Sequence, residues 1–401
     1  MPDPIPFARP FTGREEEEAV LRVLRSGWLT TGRESLAFEA EFAAFLSTGP
    51  ESREPPLRCL AVNSATSGLH LALEALGVGP GDGVFLPSYT FTSTAEVVRY
   101  LGAEAVFVDI APDSYNISGA ALEAAVTGIR GSGKTPRPKA VIPVHIGGLP
   151  CDMEAICGIA RRYGLAVVED AAHAFPARSG KAAPGMADKG PWAGTCGDAG
   201  VFSFYATKTI TTGEGGMVVS RNKELAERVS IMRSHGIDRT IWNRYTDTKA
   251  SWYYEVIAPG YKYNLPDLLA AVGRVQLRRA VELLRMRESI AERYDRAFGG
   301  MEALIVPPPG GARHLYTLRL RNPARRDGFI EELKRLGIGT SVHFIPLHLM
   351  PYYRDRYGLR QDAYPETLRR FRETVSLPIW PGMTAGQVDR VIDAVRSVLK
   401  P

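Results

Sequence analysis

Cysteine is scarce and unpaired in this chain. The four residues, Cys59, Cys151, Cys157 and Cys196, form no CxxC pair and have no nearby histidine at metal-ligand spacing. That argues against a zinc or dithiol redox site and leaves scattered reduced thiols as the expectation. Long apolar runs are missing too, and none is long enough to span a bilayer. The N-terminus, Met1-Pro2-Asp3-Pro4-Ile5-Pro6, has neither the basic start nor the apolar run of a secretory signal. A cytoplasmic protein is therefore expected. Net charge is only +5 over 401 residues, compatible with an anionic substrate but too small and dispersed for nucleic acid. No internal repeat is visible. With 45 % apolar and 23 % charged residues, the composition is that of a globular chain long enough for a large and a smaller domain.

What is present falls into a rhythm. Thr12-Gly13-Arg14-Glu15 has the pattern of a capping box and opens a periodic stretch, Val20, Leu21, Val23 and Leu24. A helix is expected there, followed by the turn Ser26–Gly32. From about residue 57, short apolar runs alternate with helical patterns: Cys59–Val62, Val84–Leu86, Ala105–Val108, Ala140–Val144, Ala166–Val168 and Val201–Phe204. That alternation predicts an α/β fold with an open, mostly parallel sheet. Arg130–Lys139 and Gly180–Gly197 read as loops, and Trp242–Tyr254 as an aromatic loop suited to a ring or sugar, or to packing. Asp267 begins one long helix running past Arg287, and Leu315–Leu320 reads as a strand. Helices at Asp327–Leu336, closed by Gly337, and Gln387–Leu399 complete a smaller α+β domain from residue 285. The division is 1–284 for an N-terminal arm and large domain, and 285–401 for the small one.

The chemistry-bearing residues sit at strand ends. In Gly200–Lys208 a buried strand ends in Ser203, reaches Lys208, and passes through Gly213-Glu214-Gly215-Gly216 into another apolar run, Met217–Val219. A lysine partly withdrawn from water there has a lowered pKa and can form an imine; a lone lysine would more simply lie on the surface. The strand Val167–Asp170 ends in two acids, followed by His173. An Asp at the carboxyl end of a parallel strand faces the ligand crevice, although the same residue also serves as a helix N-cap. Asn63–Leu69 opens a helix after a strand, with hydroxyls suited either to a phosphate or to capping. Pro87-Ser88-Tyr89-Thr90-Phe91 follows another strand, and an aromatic here suits stacking on a ring or packing in the core. A phosphate site, an acid and a lysine at three strand ends favour a cofactor pocket at the carboxyl edge of the sheet over three separate local roles, and the set suits pyridoxal phosphate (PLP). The acid keeps the pyridine nitrogen protonated there.

These residues resemble the DegT/DnrJ/EryC1/StrS family of nucleotide-sugar aminotransferases, of PLP fold type I (aspartate aminotransferase-like). The similarity covers Gly27–Gly32, Asn63–Leu69, Pro87–Phe91, Glu169–His173, Ser203–Lys208 with Gly213–Gly216, Gly260–Asn264 and His343–His348. The resemblance implies that Lys208 forms the Schiff base and then shuttles the proton. It implies that Asp170 pairs with the pyridine nitrogen, Phe91 stacks on the ring, and Thr66, Ser67 and Ser203 hold the phosphate. Asn264 matches a position that reaches the phosphate from the neighbouring subunit, which implies a homodimer with shared sites; its local alternative is an N-cap. His343 and His348 fall near the sugar-nucleotide site in relatives. His173 stands where many relatives have glutamine, and Phe175-Pro176 with the long Gly180–Gly197 loop is a second departure.

The activity implied is ping-pong transfer of an amino group from a donor, glutamate by analogy, to a nucleotide-linked ketosugar with a 4-keto preference. The product would be an aminosugar for surface polysaccharide, including lipopolysaccharide, or for a secondary metabolite. The alternatives are a ketocyclitol substrate and a PLP-binding regulatory protein without turnover. A sugar dehydratase of the same family would carry histidine at position 208. A desulfurase would need a reactive cysteine, for which Cys196 is the one candidate and has no visible activation.

Overall fold

The alternating runs become a seven-stranded sheet in the computed structural model, which describes residues 3–47, 55–132, 136–180, 190–238 and 253–399. Its strands are β1 (Arg58–Val62), β2 (Asp82–Pro87), β3 (Glu104–Val108), β4 (Arg137–Val141), β5 (Ala166–Asp170), β6 (Ala199–Ser203) and β7 (Gly216–Ser220). Their order is β1-β7-β6-β5-β4-β2-β3. Only β7 runs antiparallel to its neighbours, because the segment joining it to β6 contains no crossover helix.

Helices cover both faces, which is why the strands read as continuous apolar runs rather than alternating ones. On one face lie α3 (Ala65–Ala75), α4 (Ser93–Tyr100) and α7 (Lys223–Met232), with α5 (Gly119–Ser132) and α6 (Met153–Tyr163) on the other. The first two helices, α1 (Arg14–Ser26) and α2 (Arg33–Leu46), pack on α8 (Asp267–Arg278). Phe38 and Phe42 of α2 close the core over Phe202, Met217 and Val219.

Helix α3 approaches the sheet closely. A Cβ on Gly68 would stand 2.7 Å from Cγ1 of Val201 and 3.2 Å from Cγ2 of Val218. Gly68→Leu should therefore lower the urea midpoint, at a cost of about 1–3 kcal/mol for overpacking. An unchanged midpoint would mean that α3 lifts freely off the sheet.

After α9 (Ala280–Phe298), β8 (Leu304–Ile305) and β9 (Tyr316–Leu320) form the first part of a second sheet. Then follow α10 (Arg326–Arg335), α11 (Pro351–Tyr357), α12 (Pro365–Glu373), β10 (Thr374–Leu377) and α13 (Ala385–Leu399). The order β10-β9-β8 is antiparallel throughout. Tyr294, Leu318, Leu333, Val391 and Val395 form its core. Ile5 is also part of that core: its N–H donates to Gly337 O and its carbonyl accepts from Gly339 N, both at 2.8 Å. The N-terminal arm is thus fastened to the small sheet, and it carries Phe7 inward.

Several sequence expectations shift. The cap of α1 is one residue later than the Thr12 pattern: Gly13 N–H donates to Glu16 Oε2 at 2.8 Å. Arg130–Lys139 is not a loop throughout, since α5 continues to Ser132 and β4 starts at Arg137. The long helix from Asp267 is two helices, broken at Arg279 with φ −97° and ψ 2°. No glycine or proline marks that break and the apolar periodicity runs across it, so the sequence reads as one helix. Residues 242–252 of the aromatic loop and 181–189 of the Gly180–Gly197 loop lie outside the described residues. Trp192 packs beside Phe45, at 5.2 Å between ring centroids.

Candidate active site

The carboxyl ends of β1, β2, β5 and β6 open on a cavity of about 520 Å³. That is where an open α/β sheet binds ligands, in the crevice between the loops that lead from the strand ends into the helices. Lys208, Asp170, His173, Thr66, Phe91, Ser203 and His343 all line it.

Strand periodicity sorts the two acids of β5 to opposite sides. Asp170, 5 % exposed, faces the cavity; its Oδ2 accepts from Thr94 Oγ1 at 2.9 Å and its Oδ1 from Ala172 N at 3.1 Å. Burial raises its pKa, against those two hydrogen bonds and the Lys208 charge. A cation at this carboxylate would reverse that rise. Glu169 points the other way. It accepts from Gly194 N (2.9 Å), Cys196 N (2.6 Å) and Gly197 N (2.8 Å), which pins the end of the long loop. His145 takes the Cys151 N–H on Nδ1, so its proton is on Nε2 and is donated to Glu169 at 3.0 Å.

Lys208 lies in the turn between β6 and β7. Desolvation brings its amine down to about 7, against the pull of Asp170 and with the push of Arg287. Its Nζ is 3.4 Å from Nε2 of His314. His173 accepts the Gly147 N–H on Nδ1 at 3.2 Å, and its ring centroid is 4.4 Å from that of His314. Burial holds both imidazoles well below their usual range, and the Lys208 charge acts in the same sense. His343 falls to about 4 for the same two reasons, with Nδ1 2.9 Å from Ser376 Oγ.

The start of α3 supplies the remaining corner. Ser64 caps the helix by accepting from Ser67 N, and among the described residues no acceptor meets the N–H of Ala65 or Thr66. The Ser203 hydroxyl and Thr66 face the same cavity. A Cβ on Gly216 would come 2.8 Å from Ala65 N, so only glycine lets β7 run beside this cradle. These residues fit PLP: free N–H groups and hydroxyls for a phosphate, a buried carboxylate for a pyridine nitrogen, and an amine of lowered pKa.

Three expected site residues lie off the cavity wall. The Ser67 hydroxyl is taken up in the cap, donating to Ser64 O at 2.7 Å. His348 is fully buried beneath the end of β2, with Nδ1 2.7 Å from Ser88 Oγ. The Asn264 amide donates to Thr31 Oγ1 at 2.6 Å, and α8 is capped at Pro266, so Asn264 is not its N-cap. Asp267 instead caps the other helix, α2, accepting from Gly32 N (2.7 Å) and Ser35 N (3.0 Å). Cys196 also lies outside the cavity lining.

The cavity holds residues that the sequence did not single out, among them Phe7, Thr90, Tyr205, His314 and Phe344. A polar residue directly before the apolar strand Leu315–Leu320 is a weak signal for His314. Phe344 sits inside the His343–His348 block. Phe7, among prolines, has no periodicity to announce it.

Known proteins share this architecture. The chain is 43 % identical to the spore coat polysaccharide biosynthesis protein SpsC of Bacillus subtilis, over 99 % of this chain and 97 % of that protein. Spr1654 of Streptococcus pneumoniae, solved in its PLP form, superposes with a TM-score of 0.84 at 30 % identity, covering 99 % of this chain and all of that one. Helicobacter pylori PseC, an aminotransferase involved in pseudoaminic acid biosynthesis, gives 0.85 at 26 %, covering 99 % of each. Fold, site and relatives together define a PLP-dependent aminotransferase of fold type I. The chain belongs to the DegT/DnrJ/EryC1/StrS aminotransferase family, whose sequence profile matches residues 10–396.

Proposed function

We propose that this aminotransferase moves an amino group from an amino acid, glutamate by family analogy, to the 4-keto carbon of a nucleotide-linked sugar in the cytoplasm. The observation that carries the reading is one cavity holding Lys208, Asp170, Ser203 and the open end of α3. Two relatives named for polysaccharide and pseudoaminic acid synthesis support a sugar as acceptor.

When bound, PLP supplies the electron sink that lets nitrogen pass between two carbons. The protein's share is positional and electrostatic. Asp170 keeps a desolvated negative charge for the pyridine nitrogen, and Thr94 and Ala172 fix its plane. Ser203, Thr66 and the α3 N–H groups hold the phosphate. Lys208, whose Nζ would hold the cofactor, would carry the proton leaving the donor's α-carbon, a role its lowered pKa suits. His173 stays neutral at the cavity wall, and Phe91 offers a ring face. His343 lines the sugar side. Ser67 serves the phosphate only indirectly, through the cap.

Phe91 and Tyr205 line the cavity yet are 55 % and 47 % exposed. A second copy of the chain covering this mouth would bury them, which supports a homodimer with shared sites; Asn264 would act there only from the partner copy, and His348, buried against Ser88, would act only through the packing beneath β2. The small domain is proposed to start near residue 285, within α9.

The test is to prepare the pyridoxamine form and add UDP-, dTDP- and GDP-linked 4-ketosugars, following the return of the PLP absorbance. At least one should restore it. Restoration by a 3-ketosugar or a ketocyclitol alone would overturn the 4-keto assignment.

A further inference from the structure

His314 is buried in the cavity wall, 5 % exposed, at the foot of β9 on the second sheet. Lys208 comes from the first sheet, so the contact between them joins the two halves of the fold. One buried side chain fixes both residues. Arg287 of α9, 1 % exposed, donates from Nη1 to His314 O at 3.2 Å and from Nη2 to Thr207 O at 3.1 Å, with Lys208 O at 3.5 Å. The backbones of the lysine and the histidine are thus tied through a common planar fork.

The tautomer follows from what surrounds the ring. Nδ1 of His314 is buried and has no hydrogen-bond partner among the described residues. A proton on Nδ1 would be a buried N–H with no acceptor, a rarer and costlier arrangement than a buried lone pair. The proton therefore belongs on Nε2, the atom 3.4 Å from Lys208 Nζ. An N–H there meets the lone pair of a neutral amine and repels an ammonium group.

We propose that His314 is a positioning residue, whose Nε2–H holds the free amine of Lys208 in its neutral form and aims it into the cavity. This rests on Lys208 being the lysine that carries the reaction. The groups facing Lys208 and His314 are Asp170 on β5, His173 after it, Arg287 on α9 and His343 before β10. Asp170 alone among them favours the ammonium form. Burial, Arg287 and the donated hydrogen bond oppose it.

The experiment compares His314→Leu, which keeps the wall apolar without a donor, with His314→Gln, whose amide can still donate to Nζ. In the full-length chain stripped of PLP, the pH dependence of Lys208 acetylation by acetic anhydride is read peptide by peptide. The wild-type midpoint should lie near 7. His314→Leu should raise it by about one unit, and His314→Gln should stay within about half a unit of wild type. With PLP restored, His314→Leu should lower kcat about 100-fold, leave the donor KM within about threefold, and enlarge the isotope effect of an α-deuterated donor. His314→Gln should recover most of that loss. Should His314→Leu not fold, His314→Asn, too short to reach Nζ, should show the same changes. An unmoved or lowered midpoint in the donor-free variants, or equal behaviour of the Gln and Leu proteins, overturns the proposal. Failure of the underlying assignment is separable, because Lys208→Ala would then keep the visible band of lysine-linked PLP.

Discussion

Lys208→Ala should reduce transamination by about 10⁴-fold, the upper range for removing a positioned acid–base group. The bound cofactor should also lose the visible absorption of a lysine-linked form. Folding should survive, because the side chain ends in a cavity rather than in the core. A variant retaining full turnover would remove Lys208 from the reaction. The same substitution has a stability signature with a definite sign. The folded-state pKa of Lys208 is lowered from 10.5 to about 7. Between those values the unfolded chain binds the proton and the folded chain does not. The contribution of Lys208 to stability therefore rises with pH across that window. Urea unfolding of the PLP-free protein at several pH values should show the slope, and Lys208→Ala should flatten it. An identical slope in the two proteins would contradict the burial assigned to this amine.

Asp170→Asn should lower kcat/KM by about 10³-fold, as for the loss of a preorganised electrostatic partner in a water-poor site. The amide keeps the shape of the carboxylate and can still accept from Ala172 N. It loses the charge. PLP should also bind more weakly, with dialysis removing it faster than from wild type. Stability of the PLP-free protein should stay level or increase, because a buried carboxylate is costly and, among the described residues, no basic group lies within ion-pair distance of it; the Lys208 charge offsets only part of the burial. That divergence between activity and stability is the informative result. A variant within tenfold of wild-type kcat/KM would show that the pyridine nitrogen does not depend on this residue.

Much of the scaffold was legible because the strands are buried on both faces. Burial forces each to be a short, continuous apolar run, and the crossover helices force turn residues between them. Asp170, Ser203 and Lys208 could be read in the same way, since each stands directly at or after such a run. The helix break at Arg279 was not legible. Its apolar face continues across the break, with Leu277 before it and Ala280 and Leu283 after it in one core. The capping pattern at Thr12 was misplaced by one residue because Glu15 and Glu16 both offer a carboxylate, and only the packed helix selects Glu16.

Histidine shows the limit most clearly. His343 and His348 belong to one six-residue block, yet His343 lines the cavity and His348 is sealed beneath β2 against Ser88. Nothing local separates them. His314 received no sequence assignment and stands 3.4 Å from the lysine.

The sequence by itself determined the class of fold, the strand ends that carry the acid, the hydroxyl and the lysine, and the family. Those depend on local period and on residues next to one another in the chain. The tertiary structure alone decided which of the hydroxyls at α3 is free and which is consumed in a cap. It also decided that an arm residue, Phe7, and a residue of the second sheet, His314, complete the cavity around Lys208. These are contacts between segments far apart in the chain. They are fixed by how two cores pack, a condition that short-range pattern does not encode.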